Sequence, residues 1–125
     1  MPELCCVMTS RELIERAYAA FNARDIEAAL AIMDVGVVWP NGMEGGDVYG
    51  RNAVREYWLR QWRLIDPLVY PVRIATDANG CVVVDVHQVI RNLGGEVLKD
   101  QMVQHAYVID KGLIKSMEIR KVVAP

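Results

Sequence analysis

Cysteine, histidine and long apolar runs are all scarce in this chain, and each scarcity removes a class of function. Three cysteines, with Cys5 and Cys6 adjacent and Cys81 alone in an apolar run, form neither a CxxC nor a CxH spacing. Neither a disulfide framework nor a zinc site is therefore expected. Two histidines without a flanking ligand pattern argue against a structural metal. No apolar run approaches the ~20 residues that span a bilayer, and the opening MPELCCVMTS lacks both the basic flank and the apolar stretch of a signal peptide. Charge of one sign is also missing: fourteen basic against sixteen acidic side chains give a net charge of −2, which disfavours a general nucleic-acid binder. Gly42, Gly45, Gly46 and Gly50 crowd one segment without GxGxxG or GKS/T spacing, so no phosphate cradle is expected there. These absences imply a cytoplasmic protein with no cofactor, no metal, no nucleic-acid partner and no membrane partner.

What is present is a globular composition. Apolar residues make up 53% and charged residues 24% of 125 positions. A single domain over residues 1–125 is expected, with its core at about 10–120, and it can bury ~65% of its unfolded surface without a staple.

The first half reads as helical. Thr9 and Glu12 have the spacing of a capping box, and Leu13, Ile14, Ala17, Tyr18 and Phe21 recur at helical period behind them. Asn22 to Asp25 breaks that helix, and Asp25 can cap a short second one carrying Ile26, Ala29, Leu30 and Met33. Val35 to Trp39 predicts a strand, 42–50 a loop, and Asn52 to Ile65 a third helix ended by Asp66-Pro67. The second half reads as an antiparallel meander: 69–76, 81–91, 97–109 and 113–122, separated by Asn79-Gly80, Gly94-Gly95 and Lys111-Gly112 turns. Helices followed by a meander make an α+β protein.

The segments LIERAYAAFNARDIEAALAIM (13–33), YGRNAVREYW (49–58) and QHAYVIDKGLI (104–114) resemble the NTF2-like superfamily, and within it the SnoaL-like polyketide cyclases and ketosteroid isomerases. The resemblance implies a cone: a curved antiparallel sheet wrapped around three helices and enclosing an apolar pocket for a small hydrophobic molecule. It also implies a homodimer through the outer sheet face, expected to use some of Val103, His105, Tyr107 and Ile109. It does not settle chemistry, because one fold hosts many reactions. The isomerase positions can be tested one by one. The helix-1 tyrosine falls on Ala17, the catalytic aspartate on Asn41, and the second carboxylic acid on Gln104, with His105 matching the histidine that follows it. An amide cannot accept a proton as a general base. Steroid isomerisation by that route is not supported.

Two faces of the strand 81–91 compete for the pocket. Apolar counting turns Val82, Val84, Val86, Gln88 and Ile90 inward, whereas the isomerase resemblance implies Asp85 and His87 there. Facing inward, Asp85 and His87 would form a base-plus-orienter pair for proton transfer, with His87 as the proton-transfer residue. Facing outward, they would be surface or dimer-interface groups. The expected binding residues are Tyr18, Trp39, Asn41, Trp58, Trp62, Met102 and Gln104, with Gln104 turned inward and His105 outward in the family register. Two functions remain open: a cofactor-independent cyclase, isomerase, dehydratase or hydrolase, or a non-catalytic small-ligand-binding or dimerisation module. An ionisable side chain with a shifted pKa inside a closed cavity would favour the first.

Overall fold

The computed structural model describes residues 8–120; Cys5, Cys6 and the end of the last expected strand lie outside the described residues. Helix α1 spans Ser10–Asn22 and opens on the expected capping box. The Thr9 hydroxyl accepts from the Glu12 N–H, and the Glu12 carboxylate accepts from the Thr9 N–H. Its Leu13, Ile14, Ala17, Tyr18 and Ala20 are buried. Helix α2 is Ile26–Ala31, capped by Asp25, whose carboxylate accepts from the Ala28 N–H. Strand β1 (Met33–Pro40) leads through a turn to β2 (Asp47–Tyr49), and helix α3 follows at Arg51–Leu64. The strands β3 (Asp66–Thr76), β4 (Val82–Arg91), β5 (Val97–Asp110) and β6 (Leu113–Arg120) complete the chain.

The six strands form one sheet in the order β2-β1-β6-β5-β4-β3. Two features depart from expectation. The glycine-rich stretch 42–50 contains the short β2, paired antiparallel with β1 through Trp39 and Val48. Three residues surrounded by glycine carry too little pattern to register as a strand. The first strand also closes against the last one in parallel, with Val38 beside Ser116, so the sheet is mixed rather than wholly antiparallel. Register shifts in β1–β6, β3–β4, β4–β5 and β5–β6 insert extra residues that bend the sheet. The helices cover its inner face.

Pairing decides which side chains share a face, since residues directly opposite on neighbouring strands point the same way. Val84 pairs with His105 and Val82 with Tyr107, while Asp85 pairs with Gln104 and His87 with Met102. Val82, Val84 and Val86 are buried in the core. His105 and Tyr107 are therefore inner-face residues, and Gln104, Met102, Asp85 and His87 belong to the outer face. Apolar counting reads β4 correctly; the register implied by the isomerase resemblance is off by one residue on both strands. The set Val103, His105, Tyr107 and Ile109, expected at an outer dimer contact, faces the interior instead. The physical reason is pairing: the two faces of β5 are about equally apolar, and it is the buried Val82 and Val84 opposite Tyr107 and His105 that turn this set inward.

The end of α1 is tied to the sheet by Asn22. Its side-chain amide donates to the Val69 carbonyl at 2.7 Å and accepts from the Val69 N–H at 3.0 Å, as a neighbouring strand would. Asn22→Ala leaves both backbone groups of a buried strand residue without a partner. It should cost about 1–3 kcal/mol, read as a lower urea midpoint with an unchanged slope.

Candidate functional site

Between the helices and the inner sheet face lies a cavity of about 450 Å³. Its walls are largely aromatic. Trp39 of β1 meets Trp58 of α3 edge to face at 5.5 Å between ring centres, Trp58 meets Phe21 of α1 at 5.1 Å, and Trp39 leans on Tyr107 at 6.2 Å. Val69, Ile90, Val103 and Met117 fill the intervals. The cavity opens where Met43, Leu98, Lys99 and Ile119 line it while remaining exposed.

Its polar groups come from three elements. Tyr18 arrives on the inner stripe of α1; His105 and Tyr107 are two apart on β5 and so share its inner face. The Tyr18 hydroxyl lies 2.7 Å from His105 Nδ1 and 2.8 Å from the Tyr107 hydroxyl, and the Tyr18 and His105 rings are nearly parallel. All three are buried. The directions of these bonds follow from satisfaction of buried protons. Among the described residues, the one acceptor within reach of the Tyr107 proton is the Tyr18 oxygen. With Tyr18 donating onward to His105 Nδ1, only one group, the Nε2 proton, is left unpaired. A protonated Nδ1 leaves both the Tyr18 proton and the Nε2 lone pair without a partner, so Nδ1 is assigned as the acceptor. Neutral His105 carries its proton on Nε2, and Nε2 makes no hydrogen bond among the described residues.

Burial holds the triad in these protonation states. Desolvation lowers the His105 pKa to about 4, so the ring is neutral at pH 7. The same burial raises both phenols well above their usual range, Tyr18 further through its neighbour Tyr107. The tyrosines hold their protons and pass polarisation, not charge. The arrangement is a row of three donors ending in an N–H at the cavity.

A second donor sits nearer the rim. Tyr57 of α3 accepts at its hydroxyl oxygen from the Gly42 N–H at 3.0 Å and from Gln61 Nε2 at 3.4 Å. Its own proton is thereby left for an acceptor in the cavity that Tyr57 lines.

The expected site residues separate into three groups. Tyr18, Trp39 and Trp58 line the cavity. Trp62 packs behind the wall against Phe21 and Trp58, under the Arg24 guanidinium at 5.0 Å. Asn41 shapes the rim: its carbonyl oxygen accepts from the Met43 and Glu44 N–H groups, and its amide nitrogen donates to Glu44. The remaining four are on the outer face. His87 is half-buried, with Nε2 2.7 Å from an Asp100 carboxylate oxygen, and Met102 is exposed beside it. Gln104 donates to Asp85 at 2.9 Å in a shallow outer depression shared with Arg73 and Arg120. The proposed acid–imidazole pair of Asp85 and His87 is thus corrected. The two are not bonded to each other, and neither reaches the cavity. His105, Tyr107 and Tyr57 are what the sequence reading missed; for the first two, the inward valines opposite them on β4 were the available signal. Among the described residues no cluster of three His, Cys, Asp or Glu side chains could hold a metal, and no helix is long and apolar enough to cross a membrane.

The buried imidazole has a pH consequence. Its folded pKa, about 4, lies below the ordinary 6.5, so the unfolded chain binds a proton that the folded chain does not. Stability is then full above pH 6.5 and declines as pH falls toward 4. In urea unfolding, the wild type should lose roughly 2–3 kcal/mol more than His105→Gln between pH 7 and pH 4. Parallel pH profiles would contradict a buried neutral His105.

Comparison with known proteins places this geometry. TerC, whose crystals were grown with polyporic acid, is 25% identical over 90% of each chain, with a TM-score of 0.77. An NTF2-like protein of unknown function from Burkholderia pseudomallei is 20% identical over 92% of each chain, with a TM-score of 0.78. A protein with a ketosteroid isomerase-like fold from Catenulispora acidiphila, in complex with trimethylamine, is 15% identical over 90% of this chain and 86% of its own, with a TM-score of 0.72. The last two likenesses concern the fold alone. No curated protein matches the chain by sequence to a significant degree. Residues 14–117, which contain the helices, the aromatic walls and the Tyr18–His105–Tyr107 row, match the SnoaL-like domain, and the chain belongs to that family on an NTF2-like α+β fold.

Proposed function

We propose that this protein binds a small, flat, largely hydrophobic molecule by a carbonyl oxygen, with the His105 Nε2–H as the donor that fixes it. One observation carries the reading: an aromatic cavity of about 450 Å³ whose buried hydrogen-bond row ends in an unused N–H. An apolar cavity with a few convergent polar groups suits such a ligand. TerC was co-crystallised with a small molecule, polyporic acid. Trp39 and Trp58 hold the rings, and Tyr57 offers its proton to a second oxygen.

The cavity does hold an ionisable group with a shifted pKa, His105, which is the mark expected of an enzyme. The protonation of its free nitrogen nevertheless favours binding over proton abstraction. None of the lining residues is a carboxylate, and an imidazole whose accessible nitrogen is protonated offers no base. The catalytic alternative for this site is narrower than acid–base chemistry in general. The N–H can polarise a bound carbonyl, and the proton released by any attack on that carbonyl has to pass to the ligand's own groups or to solvent.

The homodimer also belongs to this reading. Its support is now the true outer face, where Tyr70, Met102 and Val108 are exposed. Sedimentation at micromolar concentration should give twice the mass of one chain, and Met102→Asp should return it to one; a single-chain mass for the wild type would remove the assembly.

The ligand reading is tested by tryptophan fluorescence titration with 2-acetonaphthone and with 2-ethylnaphthalene, which lacks the oxygen. The ketone should bind about three- to tenfold more tightly, as one hydrogen bond provides. His105→Phe should erase the difference while leaving the hydrocarbon's affinity in place, and Tyr57→Phe should reduce it less. Equal affinities of the two compounds for the wild type would sink the proposal.

A further inference from the structure

The inner row of β5 runs His105, Val103, Gln101, Lys99, from the buried floor of the cavity to its open edge. Halfway along, Gln101 donates across to Gln88 of β4 at 2.8 Å. At the edge, Lys99 pairs with Ile90 in the register and lines the same cavity. With His105 neutral, Lys99 is the one charged side chain among the lining residues.

The acids that could have neutralised it are engaged elsewhere. Glu44 on the rim accepts from Arg60 and from Asn41, Glu96 in the preceding turn accepts from Asn92, and Asp100 points to the other face, where it meets His87. Among the described residues no carboxylate lies within 4.0 Å of the Lys99 ammonium. A cation at the mouth of an otherwise uncharged apolar cavity attracts a negative group there, where low-dielectric walls focus its field.

We infer that the ligand is an elongated acid: an apolar ring system whose carbonyl oxygen sits at the His105 end and whose anionic group stays at the mouth beside Lys99. The strand supplies the ruler. Six residues at ~3.3 Å each separate the two positions by about 20 Å of backbone, so the anion belongs on a chain several bonds from the ring. The intervening Gln88–Gln101 pair gives that chain amide groups to lie against. This inference rests on the carbonyl-binding reading above, and its test separates the two.

The probes are 10-(2-naphthyl)-10-oxodecanoic acid and its methyl ester, which share the ketone and differ in the terminal charge. At low salt the acid should bind the wild type about five- to tenfold more tightly than the ester, as expected for one ion pair in a solvent-exposed setting. The preference should shrink as salt is added. Lys99→Gln should abolish the preference and Lys99→Glu should reverse it, with the ester's affinity unchanged in both. Equal binding of acid and ester to the wild type, or a preference that survives Lys99→Gln, overturns the role of Lys99 and leaves the pocket reading standing. Failure of both probes to bind overturns the pocket reading and this inference with it.

Discussion

The hydrogen bond between the Tyr18 hydroxyl and His105 Nδ1, 2.7 Å long and closed off from water, is the contact on which the character of the cavity depends. It joins the first helix to the longest strand across most of the chain's length. Tyr18 accepts a hydrogen bond from Tyr107 and donates its own to Nδ1, which leaves the imidazole proton on Nε2. Buried polar groups are costly unless each finds a partner. Here the cost is met by stringing three of them into one row, in which one donor alone is left without a partner among the described residues.

The rest of the fold can be read as support for that row. Asn22 pins the end of α1 to β3 by imitating a strand neighbour. Tyr57 holds the rim through Gly42, and Asn41 folds the adjoining turn back on itself. Arg51 donates twice to the Met33 carbonyl where β1 begins, at 2.9 and 2.6 Å. The aromatic chain from Phe21 through Trp58 and Trp39 to Tyr107 then connects all the layers, each contact in the edge-on or tilted geometry that ring quadrupoles prefer. A cavity survives at the centre because these walls are rigid and large. Smaller or more flexible side chains would collapse into it.

Polarity in the site is graded along one strand. The floor is buried and neutral, the middle is an amide pair, and the mouth is cationic. In the reading proposed above, such an order recognises a ligand by its two ends rather than by its body, through a handful of inward positions of the fold. The outer face shows the opposite economy. Asp85, His87, Asp100 and Gln104 satisfy one another in pairs at the surface, away from the cavity.

Local signals in the chain were sufficient for the elements. The capping box at Thr9, the 3.6-residue stripes of α1 and α3, and the Asn79-Gly80 and Lys111-Gly112 turns each act within a few residues, so their physics is complete in a short window. The inward set on β4 was legible for the same reason: three valines at period two outvote any resemblance. What the chain could not express alone was pairing. That β1 closes on β6, and that three residues of a glycine-rich loop form β2, depends on partners about 80 residues away or on an edge already built. The site suffered most from this. His105 and Gln104 are neighbours in sequence, and a one-residue difference in register exchanges them between cavity and surface. Only the hydrogen-bonded ladder with β4 determines which is inside, and only the arrival of Tyr18 from the far end of the chain decides which nitrogen of that histidine is left unpaired.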